Sequence, residues 1–426
     1  MNNLIYGIKD HPKTAKEWIF YTLQQVLAVF VATVLIANIC GTPVSSCLLG
    51  ACIGTLVYQV ITGFRSPIFI SSCGATVSAV LGALSLNAAG NNYLMVFIGG
   101  LIIMIIYFIF ALIVKFTGIQ TINKIFPPTI VGAVTMVIGL NLSTFINTYT
   151  QIDGLHNDWA IVVAIFAMII TALVAQYGKG FMKNIPFLFG ILGGFIFALI
   201  LTFCGIKLVD FSSFETMTWY PDLVFLKWSW SDWSWANLGK TTLYFVPVAI
   251  CALLEHYSDH KTLSNIIGTD LTVDPGLDRT LMGDGVASAL GTAIGGLPNT
   301  SYGESIATTG FSRVASVYVI TAAASVLGLL SFIGPVQAAV NSIPACVFGG
   351  CAMILYGYIA ASGLKTLINN KVDLEDNKNL IIVSVILTVG VSGIYLFDAA
   401  FSGVALAMVL GVILNLILRP KHEVKN

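Results

Sequence analysis

Runs of about twenty residues with almost no charge recur along the whole chain, and this constrains the fold more than any other feature. Over 426 residues the sequence is 57% hydrophobic and 9% charged, with a mean hydropathy of +0.90. Soluble proteins carry roughly 25% charged residues. An all-α polytopic membrane protein is therefore expected, long enough for a dozen or more spans of about 20 residues. Apolar windows place the spans at 18–39, 44–62, 67–87, 93–116, 127–146, 158–176, 185–206, 241–260, 282–297, 302–312, 315–333, 344–364, 379–394 and 398–418, fourteen in all. The windows 282–297 and 302–312 are too short to cross alone. Short segments broken by Gly or Pro are where transporters build their sites.

Loop charge tests this map. With the N-terminus inside, Lys9, Lys13, Lys16, Arg65, Lys115, Lys124, Lys179, Lys183, Lys261, Arg279, Arg313, Lys365, Lys371, Lys378, Arg419, Lys421 and Lys425 all fall on the inner side. Only Lys207, Lys227 and Lys240 fall outside, so 17 of the 20 Lys and Arg obey the positive-inside rule. Both termini are expected in the cytoplasm. Met1–Lys16 is polar and basic without an apolar core, so no cleavable signal peptide is expected. A net charge of +0 points to no nucleic-acid partner. The eight cysteines, Cys40, Cys47, Cys52, Cys73, Cys204, Cys251, Cys346 and Cys351, form no CxxC pair and suit reduced, packed thiols.

A weak internal repeat follows. Pro127-Pro128 with Gly132 and Met136 matches Pro344 with Gly349 and Met353 at one offset. These segments open spans five and twelve, so an odd separation implies opposite orientation and a 7+7 inverted repeat. Span three then pairs with span ten, Pro67–Cys73 beside Pro298–Glu304. The loop 208–240 carries Trp219, Trp228, Trp230, Trp233 and Trp235. It suits an interfacial segment, with a Trp-lined ligand entrance as the alternative.

Against this apolar background, Glu255 and Glu304 stand out. A charged side chain at membrane depth costs roughly 2.5–3.5 kcal/mol on insertion scales and marks a functional site by default. In Glu255-His256-Tyr257-Ser258-Asp259-His260, helical spacing puts Glu255 and Asp259 on one face and the two histidines on the next. A proton-coupled polar site is one reading, and a metal site chelated by His256 and His260 is another. A helix end reaching the cytoplasmic interface would account for His260 and Lys261, but poorly for Glu255. In Pro298–Gly310, Pro, Asn, Thr, Ser and Gly crowd around Glu304. Such backbone is tolerated at depth only where it is buried in protein or lines a polar cavity; a cytoplasmic loop is the plainer alternative. Ser71-Ser72-Cys73-Gly74 faces this segment by the repeat, although small residues alone often mean close helix packing.

These motifs resemble the nucleobase–ascorbate transporter family, and within it the uracil permease branch. The resemblance covers nearly the whole chain. It rests on Glu255-His256-x-x-Asp259-His260, on Asp274-Pro275-Gly276-Leu277-x-Arg279-Thr280 with Gly283-Asp284-Gly285, and on Pro298-Asn299-Thr-x-Tyr302-Gly303-Glu304. It continues through Gly349-Gly350, Tyr356-Gly357 and Ala361-Ser362-Gly363. It implies short antiparallel strands in spans three and ten. It also implies a core domain, 17–118 plus 241–333, moving against a gate domain, 119–240 plus 334–419, with a cytoplasmic tail at 420–426. The function implied is proton symport of a nucleobase such as uracil across a cytoplasmic membrane, without other cofactor, in a homodimer. Carried over by position, Glu255 and Glu304 bind the pyrimidine's polar edge, and the Gly303 amide holds a carbonyl with Tyr302 beside it. Ser72, Cys73 and Gly74 line the site. Glu255, Asp259 and Tyr356 form the proton-coupling network. Two departures touch the site. Ser305 and Ala307 replace the family's Asn and Gly after the Glu304 position, and Cys73-Gly74 stands where relatives often place Ser-Phe. The wider pocket admits an oxopurine such as xanthine, although purine members usually carry Gln at the Glu304 position.

Overall fold

The computed structural model describes residues 4–87, 90–118, 126–143, 146–152, 155–179, 182, 185–215, 217–220, 230–394 and 403–418. Trp228, Lys124, Lys183, Lys227, Arg419, Lys421 and Lys425, the start of the window 398–418 and the tail 420–426 lie outside these residues.

Helices dominate. In chain order they are α1 (Ala15–Cys40), α2 (Val44–Ile61), α3 (Val77–Leu84), α4 (Tyr93–Thr117), α5 (Pro128–Leu142), α6 (Ile146–Tyr149), α7 (Asp158–Tyr177) and α8 (Pro186–Phe203). There follow α9 (Trp235–Ile267), α10 (Leu277–Ala293), α11 (Gly303–Ser312), α12 (Val317–Leu330), α13 (Gly334–Asn341), α14 (Ala345–Asn369), α15 (Asn377–Val391) and α16 (Gly403–Ile417). Strands are few among the described residues: β1 (Ile70–Ser72), a small hairpin of β2 (Gln151–Ile152) and β3 (Leu155–His156), and β4 (Asn299–Ser301). Among the described residues, eight helical segments are long and apolar enough to cross a membrane, or nine with the bent pair α12–α13. The chain is a multi-pass membrane protein.

Local chemistry sets the boundaries. Thr14 and Glu17 form a reciprocal capping box at the start of α1, and Gly41 ends it in the left-handed conformation at φ 64. Pro127 and Pro344 are the N-caps of α5 and α14, the two segments of the sequence repeat. A Cβ on Gly132 would meet Gly363 and Leu367, and one on Gly139 would meet Tyr356 and Ala360. The two helices therefore cross in close contact and run in opposite directions. The windows 241–260 and 315–333 differ from the helices observed. The window 241–260 lies inside the longer α9, which Ser234 caps and Gly268 ends, because Leu263, Ser264 and Ile267 still face the core. Asp259 and His260 are thus two turns inside a helix, not at its end. The window 315–333 breaks after Leu330, and α13 leaves at 79°; Gly334-Pro335 begins a new helix there.

Helices α1–α4 pack chiefly with α9–α12, and α5, α7 and α8 with one another and with α14–α16. Glycine permits the tightest approaches. A Cβ on Gly285 would sit 3.0 Å from Tyr107, and one on Gly100 would sit 2.0 Å from the Thr292 hydroxyl.

Candidate functional site

Two short strands end where two helices begin. β1 and β4 pair antiparallel with Ile70 opposite Ser301, Ser71 opposite Thr300 and Ser72 opposite Asn299. The Cys73 amide donates to the Pro298 carbonyl at 2.9 Å and extends the ladder. Strand edges at this depth need other partners, and the neighbouring helices supply them. Thr55 of α2 accepts from the Ile70 amide at 3.1 Å, and its hydroxyl donates to the Ile70 carbonyl at 2.8 Å. Asn299 donates to the carbonyls of Gly50 and Ala287 at 2.9 and 3.2 Å. Ser288 donates to the Asn299 carbonyl.

After β1 a 3-10 turn, Gly74–Thr76, leads into α3; after β4, α11 starts at Gly303. Tyr302 supplies no side-chain cap. Its carbonyl accepts from the amides of Ser305 and Ile306. Helix N-termini present amide donors and a partial positive charge. A Cβ on Gly303 would meet nothing within 4 Å, so this terminus faces open space.

Into that space come carboxyls from three helices. Glu255 and Asp259 lie on α9, Asp284 on α10 and Glu304 on α11. Glu255 lies within electrostatic reach of Glu304 and Asp284, and Asp259 within reach of all three. Asp259 accepts a hydrogen bond from the Ser301 hydroxyl at 2.7 Å, which ties α9 to β4. Cys73 and Tyr302 are buried beside the cluster, and the charge of Glu255 reaches both. Ser72 is buried in β1, while Gly74 is partly exposed. The structure thus brings Glu255, Asp259, Glu304, Tyr302, Gly303 and Cys73 together at the strand junction. Tyr356 lies elsewhere, on α14 beside Tyr149 and Cys40.

On α9 the residues from Cys251 to Leu254 are buried, whereas Glu255, Ser258, Thr262 and Asn265 are exposed. These four share one helical face and all are polar. Gly303 and Ala307 are exposed on α11.

One ionisable residue stands outside the sequence expectations. Asp284 is fully buried, accepts from the Thr300 hydroxyl at 2.9 Å and has an oxygen 2.6 Å from Nδ1 of the fully buried His256. The signal was present: an Asp between Gly283 and Gly285 in an apolar helix obeys the same rule as Glu255. His260 does not chelate alongside His256. Its Nδ1 contacts the His256 carbonyl at 2.8 Å and its Nε2 the Tyr58 hydroxyl at 2.8 Å. Among the described residues no group of three or more His, Cys, Asp or Glu is arranged to hold a metal ion.

Comparison with known proteins agrees with the motifs. The uracil permease of Bacillus subtilis is 37% identical over 98% of this chain and 96% of its own length. That of Bacillus caldolyticus is 35% identical over 98% and 95%. Both relatives are permeases, not enzymes. The transmembrane domain of the cyanobacterial bicarbonate transporter BicA superposes with a TM-score of 0.66 over 96% of this chain and 98% of its own; at 14% identity this likeness concerns the fold alone. A model described as a permease family matches residues 16–399. The chain belongs to that family, the nucleobase–ascorbate transporters whose motifs it carries.

Proposed function

We propose that this protein imports a nucleobase, uracil, together with a proton across the cytoplasmic membrane. The observation that carries this is the meeting of Glu255 and Glu304 with the open amide end of α11 at Gly303. A pyrimidine edge offers ring N–H donors and carbonyl acceptors. Carboxylates accept from the first and a helix N-terminus donates to the second. The uracil permeases among the relatives support this substrate. Protonated Glu255 donates to the base; deprotonation on the cytoplasmic side removes that donor and releases both base and proton.

Fourteen spans in a 7+7 inverted repeat carry the site. The core is 17–118 with 241–333, and it rises and falls against the gate, 119–240 with 334–419. The division of helix packing supports these units. Both termini are cytoplasmic by the loop charge, so the exposed polar face of α9 below Glu255 lies toward the inside. Gate helices associate in a homodimer within the lipid bilayer. Ser72, Cys73, Gly74 and Tyr302 shape the pocket, while Asp259 assists the proton step; Tyr356, away from the cluster on α14, has no part in it. The likeness to an anion carrier does not extend to the site, where carboxyls stand and an anion would need a cation.

A second reading, a purine or xanthine importer, is favoured by the open space at Gly303. Thermal stabilisation of the purified protein by uracil, thymine, xanthine, hypoxanthine, guanine and urate separates the two, because a ligand of the folded state raises stability once its concentration exceeds Kd. A shift with uracil alone supports the first. A shift with a purine alone replaces uracil as substrate, and no shift with any base removes the nucleobase assignment.

A further inference from the structure

The C-terminal end of α1 carries a carbonyl that its own chain cannot serve. The last four carbonyls of a helix lack the usual amide donor one turn on. Here the Thr42 amide donates to the Ala37 carbonyl at 3.0 Å and the Gly41 amide to that of Asn38 at 3.1 Å. For Ile39 the residue four positions on is Pro43, which has no N–H to give. The donor comes from elsewhere: the Tyr149 hydroxyl of α6 donates to the Ile39 carbonyl at 3.1 Å. Ile39 and Cys40 are both buried at this point.

The body of Tyr149 belongs to the other half of the molecule. It packs on α14, where a Cβ on Gly349 would sit 2.6 Å from that of Tyr149. Tyr356, two turns further along α14, lies beside it. Only the hydroxyl crosses to α1. The crossing lies away from the strand junction. The Thr33 and Ser71 hydroxyls meet at 2.7 Å, so α1 passes β1 at Thr33. Ile39 is six residues further along, about 9 Å at the rise of an α-helix. With the N-terminus inside, this is the outer side of the site, opposite the exposed polar face of α9 below Glu255.

We infer that Tyr149 is an outer latch: its hydroxyl joins the gate to the core at the Ile39 carbonyl while the site faces inward, and this bond opens each time the core moves to admit a base from outside. The latch rests on the core movement proposed above. A hydrogen bond between two bodies that slide past each other does not survive the slide. Once it breaks, the carbonyl cannot fall back on its own helix, because Pro43 still stands at the donor position. It then needs water, which reaches it when the outer side is open. The bond therefore favours the closed outer side. Removing the hydroxyl leaves a buried carbonyl unsatisfied in that state and leaves the open state unaffected, so the population moves outward.

Native cysteines read the shift. Cys40 is buried beside the latch, whereas Cys204 is exposed and is replaced by serine. Intact cells are treated with a membrane-impermeant maleimide, and the label on Cys40 is located by mass spectrometry. Tyr149→Phe keeps the ring on Gly349 and removes the hydroxyl. Its Cys40 should label about two- to tenfold faster, the change in population that one net hydrogen bond carries. Fraying of α1 alone would also expose Cys40, and a second variant separates the two. Tyr149→Cys, joined to Cys40 by a short bifunctional maleimide, should lose uptake of labelled uracil, or of xanthine if that is the base that stabilises the protein; the same variant without the reagent should keep it. Continued uptake by the cross-linked protein overturns the inference, as does an unchanged Cys40 rate in folded Tyr149→Phe. Ser258→Cys tests the state beneath, since it should react from the inside in inverted vesicles. If it does not, the inward-facing reading fails and the latch with it; if it does and the Tyr149 variants match wild type, the latch alone falls.

Discussion

Gly303→Ala separates a site role from a structural one more cleanly than any carboxyl variant. A Cβ at Gly303 meets no atom within 4 Å, and its φ is not positive, so the protein itself does not oppose alanine. Alanine is also a better helix former, by about 0.8–1.0 kcal/mol in a helix interior and less in the first turn. The melting temperature should therefore stay level or rise slightly. A base seated on the Gly303 amide would meet the new methyl. Forcing an extra methyl into a filled site costs about 1–3 kcal/mol, which weakens Kd by roughly 5- to 150-fold. Gly100→Ala is the opposite control. Its Cβ would lie 2.0 Å from the Thr292 hydroxyl between α4 and α10, so that variant should melt earlier while its folded fraction binds normally. Calorimetric titration of both variants, alongside unliganded melting curves, reads the two effects independently. Wild-type affinity in Gly303→Ala would refute the placement of the base on this amide.

Other variants probe the remaining groups. Glu304→Ala should abolish measurable base binding, since the ring N–H groups lose a desolvated acceptor; retained affinity in a direct binding assay would mean the base lies differently. Glu255→Gln should retain binding but lose the dependence of uptake on the proton gradient, as read in vesicles with and without an uncoupler. Asp284→Ala removes the acceptor of the buried Thr300 hydroxyl and should cost about 1–3 kcal/mol; a melting temperature equal to wild type would show that this bond carries no stabilisation. In the loop after α9, the hydroxyl of Thr272 and the ammonium of Lys261 hold the Asp270 carboxyl below its ordinary value. A group depressed in the folded state contributes stability above its unfolded pKa, near 3.9, and loses it as pH falls through the folded value. Lys261 and Asp270 are 42% and 47% exposed, so the effect should stay within about 1 kcal/mol. Asp270→Asn should flatten that acid limb slightly, and an unchanged limb would show that the pair is idle.

Hydropathy located nearly every long helix because a bilayer leaves a spanning segment few other options, and the two glutamates were conspicuous because charge at depth is costly. The same rule applied to Asp284 and was obscured there. Its neighbours Gly283 and Gly285 belong to a packing seam in which glycine admits Tyr107 and Tyr58, and a small-residue motif reads as packing before it reads as charge. The histidines were misleading for a different reason. Spacing of i and i+4 says that two rings share a face, and chelation is one use of that face. It does not say that a carbonyl one turn back and a tyrosine more than 200 positions away already occupy both nitrogens of His260. Boundaries failed where a local break was compensated by tertiary contact: α9 runs on past His260 because Leu263 and Ile267 have a core to meet, although its composition turns polar. The polar face of α9 is the clearest case. Glu255, Ser258, Thr262 and Asn265 form a polar stripe at helical spacing that any helical wheel contains. Its meaning depends on the buried run Cys251–Leu254 ending at Glu255. That change from buried to exposed along one helix, at the first carboxyl of the cluster, comes from the packing of α9 against its neighbours and not from its own composition.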